Sequence, residues 1–517
     1  QTITLRQQDA RQFWKPEAPR PGPLYQDVTA RSLIGDSRHR ENNFNDFDRQ
    51  RLTWAMLSTE GPKLAVGDIN GDGLQDFFIG GARGDPGKVF IQEPDGRFQR
   101  MDEPALDADT AYEDIGAVLV DVNHDGKPDL VVASGGDEHD PGSPLLMPRL
   151  YLNDGKGHFT RSRDAFPSSV STNASCIRAV YLNGDGMPDL FLGGRDIPGS
   201  YGMDPRSYLL VNDGKGHFSD RTEAIAPGLG RVGMVTDACW SDVDGDGKPD
   251  LVVVGEWMGI TIFRNTGSGL VKWKVIPQSN GWWNCILPTD LNGDGKTDFI
   301  LGNLGLNSPF QADPSHPLRL YIGDFFGTGH EEPVLTLYRG DSSSYPFNMR
   351  DEMVEEMPQL KKKFPKYSDY AGKTIDQIFS REQLRKATVK TACFMQSAVL
   401  INHGGGNFSL QALPLRAQFS PVYGIVSSDL CGGGHQDIFL AGNFYSLKPQ
   451  VGRYDASYGC LLRGDGKGGF TFVPPDVSGL RVPGETRDLR EISGPHGLRF
   501  ILAARNNDLP LLFRKKQ

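Results

Sequence analysis

Residues 242–257 read DVDGDGKPDLVVVGEW. Asp242, Asp244, Asp246 and Asp250 fall within nine residues, and an apolar run suited to a protein interior follows directly. The same joint recurs in GDINGDGLQDFFIGG (67–81), VDVNHDGKPDLVVASGG (120–136), VYLNGDGMPDLFLGG (180–194) and TDLNGDGKTDFILGN (289–303). Weaker copies stand at GDFFGTGHEEPVLTL (323–337) and SDLCGGGHQDIFLAG (428–442), and TRDLREISGPHGLRFILAA (486–504) takes the place of an eighth. A period of about 48 to 61 residues indicates a propeller or a solenoid.

Each complete unit continues from the acidic loop through the apolar run to a strand such as RLYLND (149–154) or SYLLVND (207–213), then GKGHF and a short fourth strand. Asp-Gly and Asn-Asp-Gly steps accept the positive φ of tight hairpins, so the unit reads as a four-stranded antiparallel meander. Sheets of this kind bury their faces when set radially around an axis. The expected fold is all-β, a β-propeller of seven or eight four-stranded blades, with 1–23 as an N-terminal extension and 24–517 as a single ring. LYQDVTA (24–30) resembles a fourth strand and would complete the last unit, so the two ends close one blade. The count stays open because the unit at 290 lacks clear outer strands and could share a blade with the one at 324. One stretch, 345–390, departs from the pattern: Met353, Met357, Leu360 and Phe364 form a helical stripe, and Ser380 with Gln383 has capping-box spacing. It reads as a helical insertion whose stripe packs on the propeller.

Composition agrees. The chain has 517 residues, 63 glycines, 35 prolines and a net charge of −10, which suits short strands and tight turns and disfavours nucleic acid or an anionic membrane as a partner. No apolar stretch reaches the roughly 18 residues of a membrane helix. The N-terminal stretch lacks the apolar core of a signal peptide, so an export signal would have been removed or would lie upstream. Six scattered cysteines form no CxxC pair and read as strand thiols.

The loop pattern Asp-x-(Asp/Asn)-x-Asp-Gly-x-x-Asp places oxygen donors at alternate positions around a sharp glycine turn, as a hard cation requires, and Ca2+ is the expected ion. An EF-hand would carry a glutamate at position 12, where this chain has Ile79, Val132, Val253 or Leu301. The expected ligands are Asp68, Asn70, Asp72 and Asp76; Asp121, Asn123, Asp125 and Asp129; Asp242, Asp244, Asp246 and Asp250; and Asp290, Asn292, Asp294 and Asp298. The seventh residues, Leu74, Lys127, Lys248 and Lys296, would join them through main-chain oxygens. The third loop has Tyr181 in first position and retains Asn183, Asp185, Met187 and Asp189, so its occupancy is open, and about four to five ions are expected. The copies at 324 and 429 read as metal-free turns.

These loops resemble the FG-GAP/VCBS repeats. ENNFNDFDRQRLTWAMLSTEGPKLAVGDINGDG (41–73), GMVTDACWSDVDGDGKPDLVVVGEWM (233–258), GNLGLNS (302–308) and GRYDASYG (452–459) are similar to the cartilage-acidic-protein/UnbV-like group, abundant in Bacteroidetes as exported and often lipid-anchored surface proteins. The resemblance implies a calcium-bearing propeller in an extracellular or cell-surface setting, the outer membrane included, and implies no reaction. The leading functional reading is a non-catalytic module that binds a surface protein or a glycan. A carbohydrate-active enzyme, a polysaccharide lyase or hydrolase with Trp257, Trp282 and Trp283 as sugar platforms and His330, His435 or Tyr454 as acid or base, is the alternative. A third reading is an accessory subunit of an outer-membrane transporter or secretion complex. RGD triplets at 83–85, 339–341 and 463–465 and the sequons at Asn173 and Asn407 read as by-products of turn composition.

Overall fold

The computed structural model describes residues 22–340 and 343–516, so the extension expected over 1–23 lies almost wholly outside the described residues. Seven inner strands form a closed ring: Leu64–Gly67, Asp114–Val120, Asn173–Val180, Met234–Ser241, Cys285–Thr289, Val422–Ser428 and Thr486–Ser493, each beside the next and the last beside the first. They head blades 1 to 7 in that order. Blade 7 takes its outer strand from the N-terminal side of the chain, with Tyr25 opposite Lys515 and Asp27 opposite Phe513 in antiparallel register. Blade 1 carries a further short strand, Leu33–Ile34, parallel to its outer strand.

The apolar runs are continuous because both faces of each blade are buried. In blade 4, Leu251 and Val253 point into the core shared with blade 3, whereas Val252 and Val254 point into the core shared with blade 5. All four are fully buried. One such core fills each of the seven interfaces, including the closing one between Ile492, Phe500 and Leu502 of blade 7 and Phe77, Phe90 and Phe98 of blade 1.

The copy at 324 is no blade. Blade 5 pairs Asp298–Gly302 directly with Ala398–Gly404, and the chain between them builds a separate four-stranded sheet with five short helices from Arg350–Glu356 to Arg381–Lys386. The inserted segment therefore starts well before 345. Its stripe of Met353, Met357, Leu360 and Phe364 packs against Phe325 and Val334 of the inserted sheet, and Leu52 is the propeller-side residue of that core. The Ser380 and Gln383 side chains cap each other's main-chain N–H at 3.2 and 2.8 Å. A larger aromatic core fixes the insertion to the ring: Trp54 stacks on Trp282 at 4.7 Å, with Phe310 and Phe444 edge-on to Trp54.

A polar seam also joins the blades. At the end of the third strand, Asn153 Nδ2 donates to Ile69 O of the preceding blade at 2.8 Å; Asn212 does the same to Val122 O at 2.9 Å and Asn402 to Val243 O at 2.9 Å. Asn265 reaches Leu182 O at 3.5 Å, Gln92 reaches Ser493 O at 3.2 Å and Lys515 reaches Asp429 O at 2.8 Å. Blade 6 has Gly464 in this place, with no side chain to bridge to blade 5. Replacing Asn153 with Ala removes a buried bridge and orphans Ile69 O, which should cost about 1 to 3 kcal/mol in urea unfolding. An unchanged midpoint and slope would show that the seam contributes nothing.

Candidate metal loops

The acidic loops all lie on one face of the ring, where inner strands turn into second strands. In the fourth loop Asp242 Oδ1 accepts the N–H of Gly245 (2.7 Å) and Asp246 (3.1 Å), and Oδ2 accepts that of Gly247 (2.8 Å). The φ values of Gly245 and Gly247, +82° and +84°, let those N–H groups turn back onto one carboxylate. Asp68 receives Gly71, Asp72 and Gly73 in the same way, and Asp121 and Asp290 hold equivalent turns.

The ninth-position aspartate works differently. Asp250 is fully buried, and its oxygens accept Val243 N–H in its own loop at 3.0 Å and Asn265 N–H on the third strand at 2.8 Å. Asp76 (Ile69, Gln92), Asp129 (Val122, Asn153) and Asp298 (Leu291, Asn402) repeat this. Asp298 does so across the whole insertion, which selects Ala398–Gly404 as the third strand of blade 5. Burial lifts these carboxyls above their usual range, to about 6 for Asp76, Asp129 and Asp189, against the downward pull of the N–H groups on them.

One oxygen each from Asp242, Asp244 and Asp250 lies within 4.8 Å of the others. Three carboxylates so placed repel by about 3 kcal/mol per ionised pair at an effective dielectric near 20, which a divalent cation would relieve. Asp246, exposed, turns to Lys248 Nζ at 2.7 Å, and Asp294 turns to Lys296 Nζ at 2.8 Å. Each of those hydrogen bonds holds its aspartate carboxyl below the usual range. In the third loop Tyr181 is exposed, Asn183 and Asp185 bond each other, and Asp189 keeps only the Asn212 N–H, its Oδ2 having no hydrogen-bond partner.

The two depleted loops keep the hairpin. Asp324 accepts Thr328 and Gly329 N–H, with Glu332 accepting Phe325 N–H at 3.3 Å; Asp437 accepts Cys431 and Gly464 N–H at 2.7 and 2.9 Å. The turn thus survives where Phe326 and Thr328, or Cys431 and Gly433, replace the middle donors.

Trp257, Trp282 and Trp283 are buried in aromatic cores and cannot face a sugar. His330 and His435 are exposed on separate loops and Tyr454 is buried, so the three do not converge. Asp85 of the first RGD is buried and pairs with Lys88, and Asn173 is buried against Asp196 and Gly136 N–H. Sequence reasoning missed the residues of the seam, although the Asn at the end of RLYLND and SYLLVND was visible. Asp437→Ala should cost about 2 to 4 kcal/mol in denaturant unfolding, equally with calcium and with chelator, because it orphans the buried Gly464 N–H and the half-buried Cys431 N–H. A calcium-dependent loss at that position would contradict a purely structural role.

Residues 68–132, 121–192, 182–253 and 242–301 each match the FG-GAP-like repeat. Over 227 residues the chain is 26% identical to cartilage acidic protein 1 of Mus musculus, covering 43% of this chain and 33% of that one. The human protein matches at the same identity over 43% and 32%. The chain thus spans about a third of the length of these curated relatives. Among solved structures, the V. cholerae biofilm matrix protein Bap1 aligns with a TM-score of 0.38 and 11% identity over 96% of this chain and 91% of its own. YCF48 bound to D1 peptide aligns at 0.41 and 10% over 93% and 99%. Four overlapping matches, each spanning two successive acidic loops of adjacent blades, make residues 68–301 a tandem run of FG-GAP-like repeats.

Proposed function

We propose that the protein is a calcium-stabilised, non-catalytic binding module that works outside the cell or at its surface, recognising a protein or a glycan. A ring of FG-GAP-like repeats suits a binding or scaffold role, since it presents loops from rigid blades. The observation that carries the calcium part is the convergence of Asp242, Asp244 and Asp250 on one point, in a loop whose other donors are also oxygens. A carboxylate oxygen that accepts one N–H keeps a second lone pair, so the buried Asp250 can still ligate. Asp68, Asn70, Asp72 and Asp76, with their equivalents from 121 and 290, would hold further ions. Calcium there would supply only charge neutralisation and a stiffer turn.

The cell-surface setting is supported by the similarity to cartilage acidic protein 1 and by the loop chemistry, which matches a calcium-rich medium. Among the described residues no helix is long and apolar enough to cross a membrane. Anchorage by a lipid, or docking on an outer-membrane transporter or secretion complex, would be compatible with this reading, and the inserted sheet would be the accessory element on the ring.

Calorimetric titration of chelator-treated protein should find about four calcium equivalents, with a higher melting temperature when they are bound. Asp244→Ala with Asp246→Ala should remove one equivalent. Equal melting curves with calcium and chelator would contradict the metal reading. A screen against surface polysaccharides separates binding from chemistry: retention without shortening of the chains is expected, and release of unsaturated or reducing ends would favour the enzyme instead.

A further inference from the structure

The face opposite the acidic loops is crossed by residues 35–62, and this crossing holds a second, different cluster. His39 and Glu41 come from the crossing itself and Glu113 from the entrance to the inner strand of blade 2. Each offers one ligand atom, and the three atoms lie within 4.8 Å of one another. His39 is 1% exposed and Glu113 3% exposed. His39 Nε2, Glu41 Oε2 and Glu113 Oε1 are all buried and have no hydrogen-bond partner among the described residues.

The other atom of each group is already tied down. Glu113 Oε2 accepts Arg83 N–H at 3.0 Å, Glu41 Oε1 accepts Asn506 Nδ2, and His39 Nδ1 accepts Asn507 N–H at 3.2 Å. The bonds from Arg83 and Asn506 aim the two free carboxyl oxygens. Gly61 closes one wall: a Cβ there would sit 3.3 Å from Glu113 Oε1 and 3.5 Å from His39 Nε2. An unpaired buried polar atom costs about 1 to 3 kcal/mol, so three gathered at one point ask for a common partner.

We propose that His39, Glu41 and Glu113 bind one divalent transition-metal ion, of which Zn2+ is the type. One imidazole nitrogen and two carboxylate oxygens, with no thiolate, form a donor set for Zn2+ or a similar ion and a poor one for Ca2+, which takes oxygen alone. The site is therefore chemically distinct from the acidic loops and lies on the opposite face. An ion on Nε2 moves the ring proton to Nδ1, so the Asn507 N–H must turn away. Asn507 sits at φ +49° in the turn between the second and third strands of blade 7, where a small rotation of one peptide suffices. The ion would tie the crossing segment to blade 2, beside the blade 7 turn.

The test uses the full chain with calcium saturating, titrated with Zn2+ and separately with Co2+, whose visible d–d absorption reports nitrogen and oxygen coordination. One equivalent is expected, unaffected by Asp244→Ala with Asp246→Ala. His39→Gln and Glu113→Gln should each weaken it by at least the roughly 10- to 100-fold that loss of an outer-shell partner alone costs. Should Glu113→Gln fail to fold, Glu41→Gln, whose side chain is only partly buried, carries the same test. Absence of a zinc equivalent in folded protein, or its retention in folded His39→Gln, overturns the proposal.

Discussion

The structure depends on a buried carboxylate that accepts two main-chain N–H groups from different parts of one blade. In blade 4 it is Asp250, which holds the loop through Val243 and the third strand through Asn265. A hairpin fixes only its own two strands; this aspartate adds the third, so the meander has one register. Asn265 then reaches the preceding blade with its side chain, which links the order within a blade to the order of the ring. The same device persists in blade 6, where Asp437 acts beside a loop that has lost its middle donors. Chain geometry and cation binding are thus separate uses of one motif.

Much of this is written in local sequence. Alternating oxygens, glycines at the turn and an apolar run sharing both faces identify the blade, and Tyr25–Asp27 completing blade 7 agrees with the likeness of LYQDVTA to a fourth strand. The boundary of the insertion was not legible, for a physical reason. DFFGTGHEEPVLTL makes the same hairpin as a blade, with Asp324 and Glu332 in the first and ninth places, so its local chemistry gives no sign that the sheet stands outside the ring. Membership is decided by which distant strand the ninth residue accepts, and Asp298 choosing Asn402 is a contact between residues far apart in the chain.

The two faces of the ring have different characters. On the loop face the axial channel opens through a cavity of about 390 Å3, lined by Val66, Leu119, Trp240 and Arg490 among others. The opposite end is covered by Trp54, Ala55 and Leu57. The crossing segment and the inserted sheet share one aromatic core with the blades on this side. The His39, Glu41 and Glu113 cluster was invisible to motif reading because its members come from two segments that only the closed ring brings together.

Amide hydrogen exchange with calcium and then with chelator tests the central claim most directly. The account predicts that Val243 and Asn265 N–H stay protected in both, being held by Asp250, while Gly245, Asp246 and Gly247 N–H in the exposed turn lose protection when the ion is removed. Loss of protection at Val243 and Asn265 on chelation would show that the cation, and not the buried carboxylate, holds the blade together.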